Sequence, residues 1–187
     1  MDKLKNDIVK LMREVYPGDD RVLVFGEGPR GARLMLIGEA PGQQEALMGR
    51  PFVGKAGKNL DAYIEATGLK REEMYISNTV KFRPTKISPA GRTVNRTPTQ
   101  EEITMFLPFL KREIELVAPA VIVTLGNVPL KALMGPEATI GDMHGAPVMY
   151  GERRLFPMYH PASMIYNPAL RAVYAADMAK LAEIIDN

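Results

Sequence analysis

The chain has 187 residues, 46% of them apolar and 25% charged, with a net charge of +2. That length and balance predict one soluble globular domain over 1–187, with an N-terminal helix at about 3–16 packed on it. The cysteine count is zero, which excludes a disulfide, a thiolate nucleophile, a Cys zinc site and a Cys-ligated iron–sulfur cluster. With His144 and His160 the only histidines, a histidine-rich metal centre is not expected either. No apolar run approaches about 18 residues and Met1–Tyr16 lacks a signal-peptide pattern, so a cytoplasmic protein without a membrane anchor is expected.

In chain order, Leu4, Ile8, Leu11, Met12 and Val15 share one helical stripe. Pro17-Gly18-Asp19-Asp20 ends it with turn chemistry. Val22–Phe25 and Leu34–Ile37, short apolar runs bounded by glycine, read as buried strands. Ala56–Thr67 has helical spacing and stops at Gly68, and Met74–Val80 reads as the next strand. Thr99 and Glu102 form a capping box for a helix over Gln100–Val117, with a kink expected at Pro108. Ala120–Leu125 is a β-branched strand ending at Gly126, followed by a short helix to Met134. Val148–Tyr150 and Arg153–Met158 resemble a hairpin, and Pro168–Ile185 a final helix.

Apolar strands alternating with helices predict a mostly parallel sheet covered on both sides. Ligands of such sheets sit beyond the C-terminal strand ends, which points to Gly38, Asn78, Gly126 and His160. From Tyr75 to Gln100 there is no acidic residue, while Lys81, Arg83, Lys86, Arg92 and Arg96 are basic. With Pro84, Pro89, Gly91 and Pro98, this reads as an exposed loop: either a solvated surface or an arm that contacts phosphates.

Two familiar patterns fail. Gly26-Glu27-Gly28-Pro29-Arg30-Gly31 matches G-x-G-x-x-G, but another strand rather than a helix follows, so no helix N-terminus is available for a pyrophosphate. Gly49 to Lys55 nearly spells a P-loop, but Ala56 replaces the magnesium-binding Ser or Thr and no strand precedes it.

Four segments remain: GEAPG from Gly38, GRPFVGKAG from Gly49, NTVK from Asn78 and HPAS from His160. Together and in this order they closely resemble the uracil-DNA glycosylase superfamily, specifically its family-four enzymes, from about Val22 to Pro168. The resemblance implies a three-layer α/β/α sandwich on a four-stranded, mostly parallel sheet. It also implies hydrolysis of the N-glycosidic bond of a flipped-out deoxyuridine, in single- or double-stranded DNA, by a monomer. His160 is then the donor to uracil O2, where negative charge develops. Asn78 reads the uracil edge, Phe52 stacks on the base, and Glu45 lies near the ring edge. Ala40 stands where related families have an aspartate, so the resemblance leaves three sources of water activation: Glu39 in the GEAPG turn, which would position or polarise the water, backbone carbonyls, or mostly electrostatics. Gly54, Lys55 and Gly57 at a helix start, with Lys81 and Arg83, are expected to contact DNA phosphates. Met164 and Ile165 occupy the wedge segment that fills the hole left by the flipped base, with Tyr166 beside them.

The chain departs from that family in one respect. Family-four enzymes hold a [4Fe–4S] cluster through four cysteines, and this chain has none. The matching positions fall in Met12–Tyr16 (two), at Phe82 and at Phe106, so no cofactor is expected, and Phe82 should touch Phe106 as an apolar plug. Two other readings stay open: a DNA- or uracil-binding member that has lost turnover, and a glycosylase for another deaminated base.

Overall fold

The computed structural model describes residues 1–186. Its elements are α1 (Asp2–Val15), β1 (Leu34–Gly38), α2 (Gln43–Met48), α3 (Lys55–Ala66), β2 (Tyr75–Asn78), β3 (Thr85–Ile87) and β4 (Thr93–Asn95). There follow α4 (Gln100–Val117), β5 (Val121–Leu125), α5 (Asn127–Met134), α6 (Ile140–Met143), β6 (Val148–Tyr150), β7 (Arg153–Met158), α7 (Ser163–Tyr166) and α8 (Leu170–Asp186). The main sheet runs β2-β1-β5-β7-β6. The first four strands are parallel and β6 closes the edge antiparallel to β7. The expected four-stranded sheet is thus the parallel core β2-β1-β5-β7, extended by the edge strand β6.

Strand alternation sorts the core into two layers. Leu34, Leu36, Val121 and Val123 pack with Leu60 and Ile64 of α3 and Tyr174, Met178 and Leu181 of α8. Met35, Ile37 and Ile122 face Leu110, Ile114 and Val117 of α4. A continuous run of apolar residues is required because both faces are covered. In the β1–β2 register, Gly38 pairs with Asn78, so GEAPG and NTVK leave the sheet side by side.

Two expectations change. Val22–Phe25 is extended but forms no ladder. The Val24 N–H donates to the Lys81 carbonyl (2.7 Å), and Glu27 and Ile76 exchange a lone bridging pair (3.0 and 2.8 Å). Gly28, at φ +133°, lies where a Cβ would come within 2.2 Å of the Met74 carbonyl, and Pro29 has no N–H to continue pairing. Gly28 thus serves close backbone approach, while Gly26 makes room for the Tyr75 and Glu113 side chains. The basic stretch after Arg83 is no plain loop: β3 and β4 form an antiparallel hairpin, with Thr85 opposite Asn95. As expected, α4 spans Gln100–Val117 with Pro108 inside it, where the missing N–H leaves the Thr104 carbonyl without its helical donor. Its capping box is present, with Thr99 and Glu102 bonding each other's backbone N–H.

The region where the resemblance implies an iron–sulfur cluster is filled. Leu4, Ile8 and Met12 of α1 pack on Val80, Phe82 and Phe106. The Phe82 and Phe106 rings, both fully buried, meet edge to face at 5.7 Å. Tyr16 lies 6.1 Å from Phe82, and the Arg21 guanidinium covers both rings, 4.4 Å from Tyr16 and 4.1 Å from Phe82. Each buried Phe contributes about 1.5–3 kcal/mol by burial. No thiolate stands at any of these positions, so the residues present do not fit a [4Fe–4S] cluster.

Candidate active site

The C-terminal ends of β1 and β2 open into a cleft of about 690 Å³ whose lining includes Glu39, Glu45, Phe52, Asn78, His160 and Ile165. Gly38 makes this convergence possible: a Cβ there would come within 2.4 Å of Asn78 Oδ1 and 2.6 Å of Phe52 Cζ. Asn78 is 3% exposed. The backbone around it is pinned, because the Thr79 N–H and hydroxyl both donate to the Gly38 carbonyl at 2.9 Å. Its side-chain amide makes no hydrogen bond among the described residues, leaving an acceptor and a donor for a ligand.

Phe52 adopts φ +51°, a left-handed conformation costly for an aromatic residue. Its buried ring lies 5.8 Å from that of His160, tilted by 34°. The strain is held in place from below by Gly57, where a Cβ would sit 1.9 Å from the Phe52 carbonyl oxygen. Gly57 is therefore buried packing and not part of the cleft lining, contrary to the expected phosphate contact.

Glu45 links two loops. Its Oε1 accepts from the N–H groups of Val53 (3.0 Å) and Gly54 (2.7 Å), and its Oε2 from Gly42 (3.1 Å). The carboxylate thus sets the start of α3 and the GEAPG turn together. The Gly54 N–H is already donated to Glu45, so it is not the free anion donor expected. Lys55 remains exposed on the cleft rim, at the start of α3.

His160 Nδ1 accepts the Ala162 N–H at 3.2 Å, which assigns the ring proton to Nε2. Burial pushes its pKa down to about 4, a shift that the nearby Glu45 charge opposes. The imidazole is consequently neutral near pH 7. The HPAS turn is tied to α3 by Asn59, which donates to the Pro161 carbonyl at 3.3 Å. Glu39, half-buried, has its pKa raised by desolvation, and a hydrogen bond from Thr97 works against the rise.

Two further expected DNA contacts are corrected. Lys81 is 1% exposed and ion-paired with Glu113 of α4 at 2.6 Å, so just past β2 it points inward instead of to the surface. Met164 is 2% exposed and belongs to the core under β7 and α8. The rim at that point is formed by its neighbours Ile165 (45% exposed) and Tyr166 (86%). A four-residue helix turns these outward while Met164 faces inward. Arg83 lies at the base of the hairpin, donating to Asn95 Oδ1 at 2.7 Å.

The sequence reading did not single out Pro84 and Asn95 as cleft residues, nor Arg96 as more than one of five basic side chains, yet all three line it. Arg96 braces the hairpin through a bidentate pair with Glu102 (2.7 and 2.7 Å) and a bond to the Thr85 carbonyl. The acid-free composition marked the segment; the hairpin pairing that folds it against the cleft is tertiary. No group of His, Cys, Asp and Glu suited to a metal ion occurs among the described residues. None of the described helices is long and apolar enough to cross a membrane.

The family model described as the uracil DNA glycosylase superfamily matches residues 25–182. The chain is 37% identical to a type-4 uracil-DNA glycosylase of Sulfurisphaera tokodaii, over 98% of this chain and 84% of that protein. It is 40% identical to the type-4 enzyme of Saccharolobus solfataricus, over 88% and 76%, and 36% identical to that of Thermotoga maritima, over 87% and 83%. With the family model matching residues 25–182 and relatives 36–40% identical over most of the chain, this protein belongs to the uracil-DNA glycosylase superfamily.

Proposed function

We propose that this protein is a monofunctional uracil-DNA glycosylase that hydrolyses the bond between C1′ of deoxyribose and N1 of a flipped-out uracil. It releases free uracil and leaves an abasic site, acting as a monomer on single- or double-stranded DNA in the cytoplasm. The observation that carries this reading is the His160 ring: Nδ1 is committed to the Ala162 N–H, so a neutral Nε2–H remains, in the same cleft as Phe52 and Asn78.

The extruded base lies against Phe52, a stacking contact worth about 1–3 kcal/mol. The Asn78 carbonyl oxygen accepts uracil N3–H and its NH₂ donates to O4. Cytosine presents the opposite pattern and leaves both groups of a buried amide unpaired, a penalty of about 1–3 kcal/mol for each. As the C1′–N1 bond breaks, its electron pair moves into the departing uracil and the sugar becomes an oxocarbenium ion. The His160 Nε2–H donates to uracil O2, where that charge collects. A donor fixed in this way is worth about 3 kcal/mol of barrier. Water then adds at C1′ and passes its proton to the Glu39 carboxylate, whose desolvation makes it a stronger base.

DNA phosphates meet Lys55 at the start of α3 and the exposed Lys86 and Arg92 of the hairpin. Ile165 and Tyr166 fill the space the base vacates. No step uses a metal or cluster. Incubation of the purified protein with uracil-containing oligonucleotides tests the reading: alkali-labile sites at the uracil positions are expected. Intact strands at stoichiometric enzyme reject it.

A further inference from the structure

Lys81 takes no part in the reaction above, yet it sits in a dense buried network. Its ammonium donates to Glu113 Oε2 (2.6 Å), Ser77 Oγ (2.7 Å) and the backbone carbonyl of Asn78 (2.7 Å). Glu113, on α4 and 3% exposed, also accepts from Ser77 Oγ (2.9 Å) and the Tyr75 hydroxyl (3.0 Å). A buried ion pair is weak evidence of a stabilising purpose, because desolvation offsets its attraction and apolar substitutes often serve as well. What this one grips is the backbone of the base-reading residue.

The Asn78 amide has no hydrogen bond of its own among the described residues, so only its backbone and its packing on Gly38 and Phe52 set its aim. On one side that backbone is held by the neighbouring strand, through Thr79 and Gly38. On the other, Lys81 holds the Asn78 carbonyl and is itself anchored, its own carbonyl accepting the Val24 N–H at 2.7 Å. Glu113 connects this clamp to α4, so a helix on the far face of the sheet is coupled to the angle of a side chain in the cleft.

We propose that Lys81 and Glu113 are positioning residues for Asn78: the buried pair fixes the carbonyl, and thereby the amide, at the orientation that reads the base. This rests on the glycosylase reading only in what Asn78 is taken to read. Removing Lys81 alone strands a buried carboxylate, so the informative variant combines Lys81→Met with Glu113→Gln, which keeps hydrogen-bonding partners for Tyr75 and Ser77.

On uracil-containing single-stranded DNA, the combined variant loses about 10-fold or more in kcat/KM, mainly in kcat, as a misaimed group should. Placed in an Asn78→Ala background, the same pair of substitutions costs less than about 2-fold, because the group it aims is gone. Equal losses in both backgrounds overturn the proposal and leave the pair a purely structural one. A second measurement needs no excision. In ¹H–¹⁵N spectra the Asn78 side-chain amide resonances shift in the combined variant, while those of the exposed Gln100 and Asn167 do not. An unmoved Asn78 amide overturns the proposal. A moved amide in a protein whose wild type excises no uracil supports the positioning and rejects the glycosylase reading instead.

Discussion

Asn78 and Phe82 belong to one short segment but end in surroundings with opposite requirements. Phe82 enters an apolar cluster built from α1 and α4, where what matters is filled volume: Phe106, Tyr16 and Met12 close on it and the Arg21 guanidinium caps it. Asn78 enters a cleft where volume is left open and each polar group has an assigned direction. The plug bears on the stability of the segment and the cleft on its chemistry. Between them in sequence lies Lys81, buried and bonded to Glu113, Ser77 and the Asn78 carbonyl. Aromatic packing of Phe82 on Phe106 and Tyr16 braces the chain just beyond β2 in a protein without cysteines.

The sharpest way to break this division is Phe106→Ala. Loss of a buried ring costs about 3–5 kcal/mol, so a large drop in Tm is expected, while kcat measured well below the transition stays near wild type. A kcat that collapses with the fold intact means the plug also shapes the cleft. His160→Ala inverts the pattern. Excision falls by about 10²–10³-fold with little change in Tm, and thermal melts beside single-turnover rates check both halves.

Acid provides a gentler probe. The pKa of His160 is depressed from 6.5 to about 4 in the fold, so the unfolded chain binds this proton first. Its contribution to stability is fully present above pH 6.5 and declines as pH falls from 6.5 towards 4. In the proposed mechanism excision uses the neutral imidazole, which the fold keeps down to about pH 4. The His160 ring resonances in NMR should thus hold still between pH 8 and about 5 and titrate only near 4; titration near 6.5 contradicts the buried neutral donor. The smallest expected effect is at the rim. Lys86→Ala with Arg92→Ala removes two exposed charges, which lowers the salt slope of DNA binding by about 2 and leaves kcat unchanged. Binding isotherms across a salt series test this.

Much of the fold was legible from residue order. The capping box at Thr99 and Glu102, the β-branched run into Gly126 and the apolar stripe of α1 each encode a local structure, because helix and strand periodicities are local properties. The candidate site was legible through its four segments, and the Phe82–Phe106 contact through the family resemblance, which implies cysteines at those two positions. Direction was not legible. Lys81 and Met164 have side chains that suit a DNA surface and a wedge, and the fold turns both inward. Gly57 resembles a phosphate-binding glycine but is there to clear the Phe52 carbonyl. Whether a side chain points to solvent, core or cleft depends on what packs against it from distant segments. Glu113, far along the chain on α4, decides the fate of Lys81, and β2 decides where Gly28 must be bare. Local sequence determined the main helices and the parallel strands, and the residue types that carry the chemistry; the Val22–Phe25 run and the β3–β4 hairpin were settled by pairing partners. Tertiary packing alone decided which of those residues face the cleft, because burial and hydrogen-bond partners are set by segments remote in sequence.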